Sequence, residues 1–192
     1  MGRDADKRHR RSIRLPNHDY TSPGAYFVTI CVQGGECLLG EVVDGEMRLN
    51  EWGQIVWDCW QAIPNHFPCA ELDACAIMPN HVHGILVITD PAVGAQHAAP
   101  LLQKRASRQS RQTNVQPGSL GAIVRSFKSA ATRRINQLRD MPGTSFWQRN
   151  YWEHIIRDER SLNRIREYVE TNPARWVEDQ LHPDALPNIL NQ

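Results

Sequence analysis

The stretch ACAIMPNHVHGILVITD, from Ala74 to Asp90, is the part of the sequence from which our prediction of the fold and the site begins. Two apolar runs flank a polar Pro-Asn pivot, and the second run opens with two histidines that a single valine separates. Its Ile, Leu and Val content predicts a β-strand, in which side chains two positions apart project from the same face. We therefore expect His81 and His83 to lie side by side, which provides half of a metal site.

Histidines at this spacing also occur as ordinary packed or surface side chains, and the spacing alone leaves both interpretations open. The turn before the strand favours metal binding, because backbone and side chains converge on an ion more easily beside a turn than in the middle of a sheet.

Length and charge bound the architecture and the kind of partner. The 192 residues suffice for one domain with a sizeable core, but not for two ordinary ones. The 22 Lys and Arg residues against 21 Asp and Glu residues give a net charge of +1, which is not that of a uniformly basic nucleic-acid binder. Basic residues nevertheless concentrate locally, and local positive surfaces can form on a nearly neutral protein. These stretches are residues 7–11, 104–111 and 125–139.

The cysteine content and the apolar runs indicate a compartment. Five cysteines, an odd number without a Cys-x-x-Cys pair, argue against a disulfide framework and favour a reducing cytoplasm. No run approaches the roughly 18 apolar residues of a membrane span. The N-terminus is basic and lacks the apolar centre of a signal peptide. We expect a soluble cytoplasmic protein without a membrane partner.

The composition divides the chain into an arm, one domain and a tail. Residues 1–22 are predicted to be a basic N-terminal arm, residues 23–178 a single domain, and residues 179–192 a C-terminal tail. Within the domain, residues 91–117 change to Ala, Gln, Ser, Arg and Thr without periodicity. This composition predicts a flexible basic loop.

Hydrophobic periodicity predicts the element order β-β-β-α-β-β-α-β-α. Asp44-Gly45 is a two-residue hairpin signal between the second and third strands. Asn50, Ser119 and Asp158 are N-caps for the three helices. An antiparallel sheet with helices packed mainly on one face follows from this order, which is a ferredoxin-like α+β fold.

The last predicted helix carries Tyr168 and Asn172 on its apolar face, one turn apart. By periodicity alone, Tyr168 reads most simply as an aromatic side chain of the helix–sheet core. Asn172 similarly fits a residue that ends the helix before Pro173.

Three motifs that follow one another in the chain resemble those of REP-associated tyrosine transposases. The run MPNHVH at residues 78–83 resembles the His-hydrophobic-His (HUH) motif of single-tyrosine transposases. The runs FWQRNY at residues 146–151 and REYVETNP at residues 166–173 look like two further stretches of the REP-associated family. The resemblance covers roughly residues 25–175, and it implies the same ferredoxin-like fold.

The resemblance also implies a site and a reaction. In the family, a tyrosine at the position of Tyr168 attacks DNA, and a polar residue four positions later completes the metal site. His81, His83 and Asn172 would accordingly hold Mg²⁺ or Mn²⁺, although related insertion-sequence transposases commonly have Gln at the position of Asn172. The implied activity is cleavage of single-stranded DNA beside a hairpin of palindromic repeats, through a 5′-phosphotyrosine link and strand transfer, by a monomer or a homodimer.

The helix after Ser119 carries outer charges that are nearly all positive, which favours contacts with phosphate. The candidate DNA-binding residues are Arg125, Lys128, Arg133 and Arg134. Lys128 also matches a lysine of the family's second helix, and a solvated helix lysine explains it equally well.

His154 precedes the last helix and is an auxiliary candidate for orienting the tyrosine or the ion. An ordinary packed or surface histidine is the simpler interpretation.

Two other functional classes also stay open. A catalytically silent DNA or RNA hairpin-binding protein would keep the fold and bind without cleaving, and a metal hydrolase that activates water would not need Tyr168.

Overall fold

The structure is a computed structural model, and it describes residues 19–89 and 116–185. Most of the predicted basic arm (residues 1–18), most of the predicted loop (residues 90–115) and residues 186–192 lie outside the described residues.

The described residues form six strands and three α-helices in the predicted order. They also form a fourth, short α-helix that was not predicted. The strands are β1 (Gly24–Cys31), β2 (Gly40–Val43), β3 (Glu46–Leu49), β4 (Ala70–Ile77), β5 (His81–Ile88) and β6 (Trp152–Ile156). The α-helices are α1 (Glu51–Gln61), α2 (Ile63–His66), α3 (Leu120–Leu138) and α4 (Glu159–Thr171). A 3₁₀ segment, Pro173–Glu178, follows α4.

The main sheet has the strand order β4-β5-β1-β6, and every neighbouring pair is antiparallel. The strands β2 and β3 form a separate hairpin. Its turn places Asp44 at φ 53° and Gly45 at φ 78°. Two successive positive φ angles are what a two-residue hairpin turn requires. The predicted antiparallel α+β fold is confirmed.

The predicted caps lie where the helices begin. The side chain of Asn50 accepts hydrogen bonds from two backbone N–H groups of α1, at 3.0 and 2.9 Å. Ser119 accepts one at 3.3 Å at the start of α3, and Asp158 accepts one at 2.7 Å at the start of α4. Each bond satisfies a backbone donor that has no partner within its own helix.

Three of the four helices, α1, α2 and α3, pack on one face of the main sheet around the fully buried Trp60. The Trp60 ring lies directly on β5 at Gly84, where a Cβ atom would be 2.3 Å from the ring carbon Cζ2. Only glycine fits there, so the residue after the paired histidines is fixed by helix packing on the opposite face of the strand. None of the helices in residues 19–89 and 116–185 is long and apolar enough to cross a membrane.

The other face of the sheet is covered by α4 and the 3₁₀ segment after it. Val169 of α4 and Trp176 pack there against Phe27 of β1 and Ile85 of β5. This smaller core is the one that adjoins the histidines, because alternate residues of β5 share a face.

Candidate active site

The two histidines lie side by side at the start of β5, on the face that α4 covers. His81 is 0% exposed and His83 3%, and their ring centroids are 4.4 Å apart. The strand register places Cys31 opposite His81 and Thr29 opposite His83 on β1. The rings therefore share a strand face, as the alternation of side chains predicts.

A contact at the Nδ1 atom orients each ring. Oδ1 of Asn80 lies 2.8 Å from Nδ1 of His81, and Nδ2 of Asn80 donates to two backbone carbonyls at 3.0 and 2.7 Å. In this orientation Oδ1 only accepts, so His81 carries its proton on Nδ1 and keeps the Nε2 lone pair for another ligand. Oγ1 of Thr29 lies 2.9 Å from Nδ1 of His83. Contacts of this kind fix the rings of metal-binding histidines.

A carboxylate that the sequence did not single out completes the cluster. Oδ2 of Asp179 lies 3.9 Å from Nε2 of His81 and 4.0 Å from Nε2 of His83. The side chain of Asp179 is only 4% exposed, and Oδ1 accepts a hydrogen bond from the backbone of Leu181 at 2.7 Å. One potential ligand atom from each of the three residues lies within 4.8 Å of the others, so one ion would reach all three. Asp179 is the first residue of the predicted C-terminal tail.

Asn172 is buried beside this cluster, at the end of α4. Its Nδ2 atom donates to Oδ2 of Asp179 at 2.9 Å. Within the described parts of the chain, Oδ1 of Asn172 and Nε2 of His81 are buried without a hydrogen-bond partner. Buried polar atoms rarely lack partners, so two at one place indicate room for a further ligand. Imidazole nitrogens and a carboxylate form a donor set that fits a divalent ion, and the Asn172 amide lies beside the carboxylate.

Burial keeps both imidazoles in the form that binds metals. It lowers the pKa of His81 to about 3. Burial and the neighbouring His81 lower the pKa of His83 to about 3, against the opposing effect of the Asp179 carboxylate. Both rings are therefore neutral at pH 7, and a neutral imidazole offers its lone pair to a metal.

Tyr168 reaches the same cluster from α4. Its hydroxyl oxygen lies 3.2 Å from Nε2 of His83, and its ring packs edge-on against Phe27 with centroids 6.0 Å apart. Tyr168 is 41% exposed, so its side chain is accessible from solvent. Burial of the hydroxyl, followed by the Asp179 carboxylate, raises the pKa of Tyr168, and a hydrogen bond with Asn172 opposes that shift. The phenol is thus protonated at pH 7 and needs nearby positive charge to react as an oxyanion.

The cluster opens into a cavity of about 710 Å³, which is the size of a small-ligand cleft. Tyr168, His83, Asn172 and Asp179 all line this cavity. Of the four residues predicted for the catalytic and metal site, His81 is the one that does not line the cavity. The structure thus brings together both histidines, the tyrosine and the asparagine.

His154 is not part of the lining of this cavity. It is exposed on β6, and its ring stacks on Trp152 with centroids 6.0 Å apart and an interplanar angle of 6°. Trp152 itself lines the cavity. The structure therefore places His154 outside the site cavity, next to a residue that lines it.

The four candidate DNA-binding residues on α3 lie on two different surfaces. Arg125, Lys128 and Arg133 line a groove of about 820 Å³ between α3 and residues 142–149. Nζ of Lys128 donates to the backbone carbonyls of residues 148 and 149 at 2.6 and 3.2 Å, and burial lowers its pKa to about 8. Arg134 lies outside the lining of this groove and pairs with Asp58 of α1 at 3.4 Å.

Comparison with known proteins connects this chain and its fold to a family. No protein-family model matches the chain. A Haemophilus influenzae relative named "Uncharacterized protein" is 44% identical over 179 residues, which cover 92% of this chain and 94% of that protein. A second Haemophilus influenzae protein, "Putative REP-associated tyrosine transposase", is 21% identical over 184 residues, which cover 89% of this chain and 87% of that protein.

A solved structure of a REP-associated tyrosine transposase bound to a REP hairpin is similar in fold. The TM-score is 0.56 at 16% sequence identity, over 85% of this chain and 74% of that one. The resemblance that the three motifs predict is thereby confirmed: the chain belongs to one family with its 44% identical Haemophilus influenzae relative, and it is similar in sequence and fold to REP-associated tyrosine transposases.

Proposed function

We propose that the chain is a metal-dependent endonuclease and strand transferase that acts on single-stranded DNA next to hairpins of palindromic repeats. The observation that carries this proposal is the position of the Tyr168 hydroxyl, 3.2 Å from Nε2 of His83 in a cluster that includes His81 and Asp179. A phenol and metal-binding side chains at one open cavity are the parts that tyrosine-dependent phosphodiester transfer requires. The hairpin bound to the transposase of similar fold supports this class of substrate.

In this proposal Tyr168 is the nucleophile. Its oxygen forms a bond to phosphorus while the bond from phosphorus to the 3′-oxygen of the leaving strand breaks. The products are a 5′-phosphotyrosine and a free 3′-hydroxyl. The phenol loses one proton, and the departing 3′-oxygen gains one. The edge-on contact with Phe27 holds the phenol beside the cluster. The Nε2 lone pair of His83, which the phenol contacts at 3.2 Å, would pass to the ion when one is bound.

His81, His83 and Asp179 would hold a divalent ion, with Asn172 beside it through its hydrogen bond to Asp179. Mg²⁺ and Mn²⁺ both suit phosphate chemistry, and the imidazole ligands favour Mn²⁺. Such an ion would supply the positive charge that the non-bridging phosphate oxygens and the phenolate need.

The tyrosine linkage favours strand transfer over simple hydrolysis. An ordinary phenol, with a pKa of about 10, leaves more readily than an aliphatic alcohol, so a new 3′-hydroxyl can displace Tyr168 and reseal the strand without ATP.

The groove beside α3 is our candidate for the hairpin backbone. Arg125 and Arg133 line it, and the Lys128 ammonium fixes the segment at residues 148–150 that forms its wall. Positive side chains along a groove attract phosphate without reading sequence.

All five cysteines are free, which agrees with the reducing cytoplasm where we place the protein. Either a monomer or a homodimer is compatible with this arrangement.

The test uses a DNA hairpin from the host's palindromic repeats, with a single-stranded flank, incubated with the protein and Mn²⁺. We expect a covalent protein–DNA adduct on a denaturing gel, no adduct after chelation of the metal, and no adduct from Tyr168→Phe. Tyr26→Phe is the matched control, because Tyr26 is buried on the opposite side of the sheet and should keep the activity.

Two outcomes would contradict the proposal. Hairpin binding by the wild-type protein without any adduct, under all of these conditions, would favour a silent hairpin-binding protein. Cleavage by Tyr168→Phe at the wild-type rate would favour a hydrolase that activates water.

A further inference from the structure

The register of the sheet aligns an exposed tryptophan with the histidine of the site. His83 on β5 lies opposite Thr29 on β1, and Thr29 lies opposite Trp152 on β6. Adjacent strands are about 4.8 Å apart, so two strand spacings, or about 10 Å, separate the backbones at Trp152 and His83. Both side chains line the cavity that contains Tyr168.

Trp152 exposes a large aromatic surface. It is 49% exposed, whereas tryptophan is highly buried on average in soluble proteins. Its ring contacts Phe27 edge-on, with centroids 5.7 Å apart and an interplanar angle of 73°. On another side it lies parallel to His154 at 6.0 Å. These contacts set the orientation of the ring and still leave half of the residue open to solvent.

The same cavity also has a cationic side chain. Arg175 lines it, and its guanidinium is held at the surface by Glu178 at 3.2 Å, in a pair that is more than half exposed. Proteins that bind single-stranded nucleic acids combine aromatic rings, on which bases stack, with positive charge that follows the backbone. Trp152 and Arg175 provide both features next to the tyrosine.

We propose that Trp152, supported by the parallel ring of His154, is the stacking platform for an unpaired base that flanks the phosphate attacked by Tyr168. The inference rests on the proposed function, because it assigns the neighbour of the reacting phosphate. Bases in a duplex are already stacked on both faces, so this platform takes single-stranded DNA. Every base has a π-face, so Trp152 contributes affinity and position rather than sequence choice.

The test measures binding without metal, so that it does not depend on cleavage. The hairpin is prepared with and without its single-stranded flank, and the base analogue 2-aminopurine replaces one flanking base at a time. We expect the flank to tighten binding to the wild-type protein and the fluorescence of one 2-aminopurine position to be quenched. Trp152→Ala should lose about tenfold of the affinity for the flanked hairpin, lose the quenching, and bind the unflanked hairpin as the wild type does.

Two further variants separate stacking from a purely structural role. Trp152→Phe keeps an aromatic face and should retain most of the affinity and quenching. Leu138→Ala is the control, because Leu138 is 45% exposed on α3 and is not part of the cavity lining. If Trp152→Ala does not show a wild-type melting curve, then His154→Ala, which removes the supporting ring, takes its place with a smaller expected loss.

Unchanged affinity of the folded Trp152→Ala variant for the flanked hairpin, or an equal loss for both hairpins, would overturn the proposal. The result of the cleavage experiment is independent of the result of this binding experiment. A flank-dependent gain that needs Trp152, without any covalent adduct in Mn²⁺, would support the platform and refute the nuclease activity. A wild-type protein that binds neither hairpin would refute both.

Discussion

At the scale of single residues, Asn172 and Asp179 meet at the end of α4, where the amide donates to the carboxylate at 2.9 Å. The resemblance to the transposase family predicts that the third metal ligand is Asn172, four residues after Tyr168. In the structure, Oδ2 of Asp179 lies 3.9 Å from Nε2 of His81 and 4.0 Å from Nε2 of His83. The carboxylate also carries a charge that the amide lacks. We therefore expect Asp179 to bind the ion and Asn172 to orient the Asp179 carboxylate.

This division of roles predicts different losses of metal affinity. Removing a group that orients a ligand commonly weakens metal binding by about 10- to 100-fold, which is the loss we expect for Asn172→Ala. Asp179→Ala should weaken binding further, because it removes a ligand. Titration with Mn²⁺, followed by the electron paramagnetic resonance of the free ion, measures both without cleavage. A larger loss for Asn172→Ala than for Asp179→Ala would assign the ligand to the amide.

The sequence could identify part of this cluster. His81, His83 and Tyr168 lie in short motifs on a strand and a helix, where the periodicity fixes which side chains share a face. Asp179 was missed because Pro173–Glu178 separates it from α4, and that 3₁₀ segment breaks the periodicity of the helix. Its spacing of seven residues from Asn172 would have been the only signal, and it is a weak one.

At the scale of elements, an ion pair fixes α4 against the edge strand β4. Arg166 donates to both carboxylate oxygens of Asp73, at 2.8 and 2.5 Å. Asp73 lies where the pairing of β4 with β5 shifts its register, between Leu72 and Cys75. A bulge of this kind re-aims a side chain, here toward the helix. Because Arg166 is two residues before Tyr168, the pair also helps to set the rotation of α4.

The ion pair predicts an acid-dependent loss of stability. The hydrogen bond from Arg166 holds the pKa of Asp73 below its usual range. A folded-state pKa below the unfolded-state value of about 3.9 means that the pair stabilises the fold above that pH, and that the contribution is lost as the pH falls through the folded-state pKa. We expect Asp73→Asn to lower the melting temperature by a few degrees at most at pH 7.

The difference in melting temperature between Asp73→Asn and the wild type should narrow as the pH is lowered through the acid range. Thermal melts of both proteins from neutral to acid pH measure it. A difference that does not change with pH would mean that Asp73 acts through packing or through its hydrogen bond to the backbone of Ala74 rather than through its charge.

The elements were more predictable than their fine geometry. The Asp44-Gly45 turn and the caps Asn50, Ser119 and Asp158 depend on local conformation, which neighbouring residues determine. The bulge at Asp73 depends on how two strands pair, so no local pattern indicated it.

At the scale of the whole molecule, charge is balanced overall and uneven locally. A net charge of +1 provides little general attraction to DNA, so the DNA binding that we propose would depend on particular surfaces. The site cavity lies on the α4 side of the sheet, whereas the basic groove lies beside α3. The segment at residues 148–150, which Lys128 holds, leads directly into β6 and its Trp152. The path that we propose for the DNA therefore runs from the groove along this segment toward Trp152 and the tyrosine.

Two neighbouring arginines test this path, because they are adjacent in sequence and lie on different surfaces. Arg133 lines the groove, whereas Arg134 lies outside it and pairs with Asp58 at 3.4 Å. If the groove holds the hairpin backbone, Arg133→Ala should make the slope of log affinity against log salt less negative by about 0.9, the value for one phosphate contact. Arg134→Ala should leave the slope unchanged and is the matched control.

The loss in Arg133→Ala should be the same for the repeat hairpin and for a hairpin of scrambled sequence, because phosphate contacts position the DNA without reading its bases. Affinities of both hairpins over a series of salt concentrations provide the slope and the sequence preference in one experiment. A less negative slope in Arg134→Ala, with no change in Arg133→Ala, would place the DNA backbone on the α1 side of the molecule. A changed sequence preference in Arg133→Ala would mean that Arg133 contacts base edges, and the groove would then contribute to the choice of target as well as to affinity.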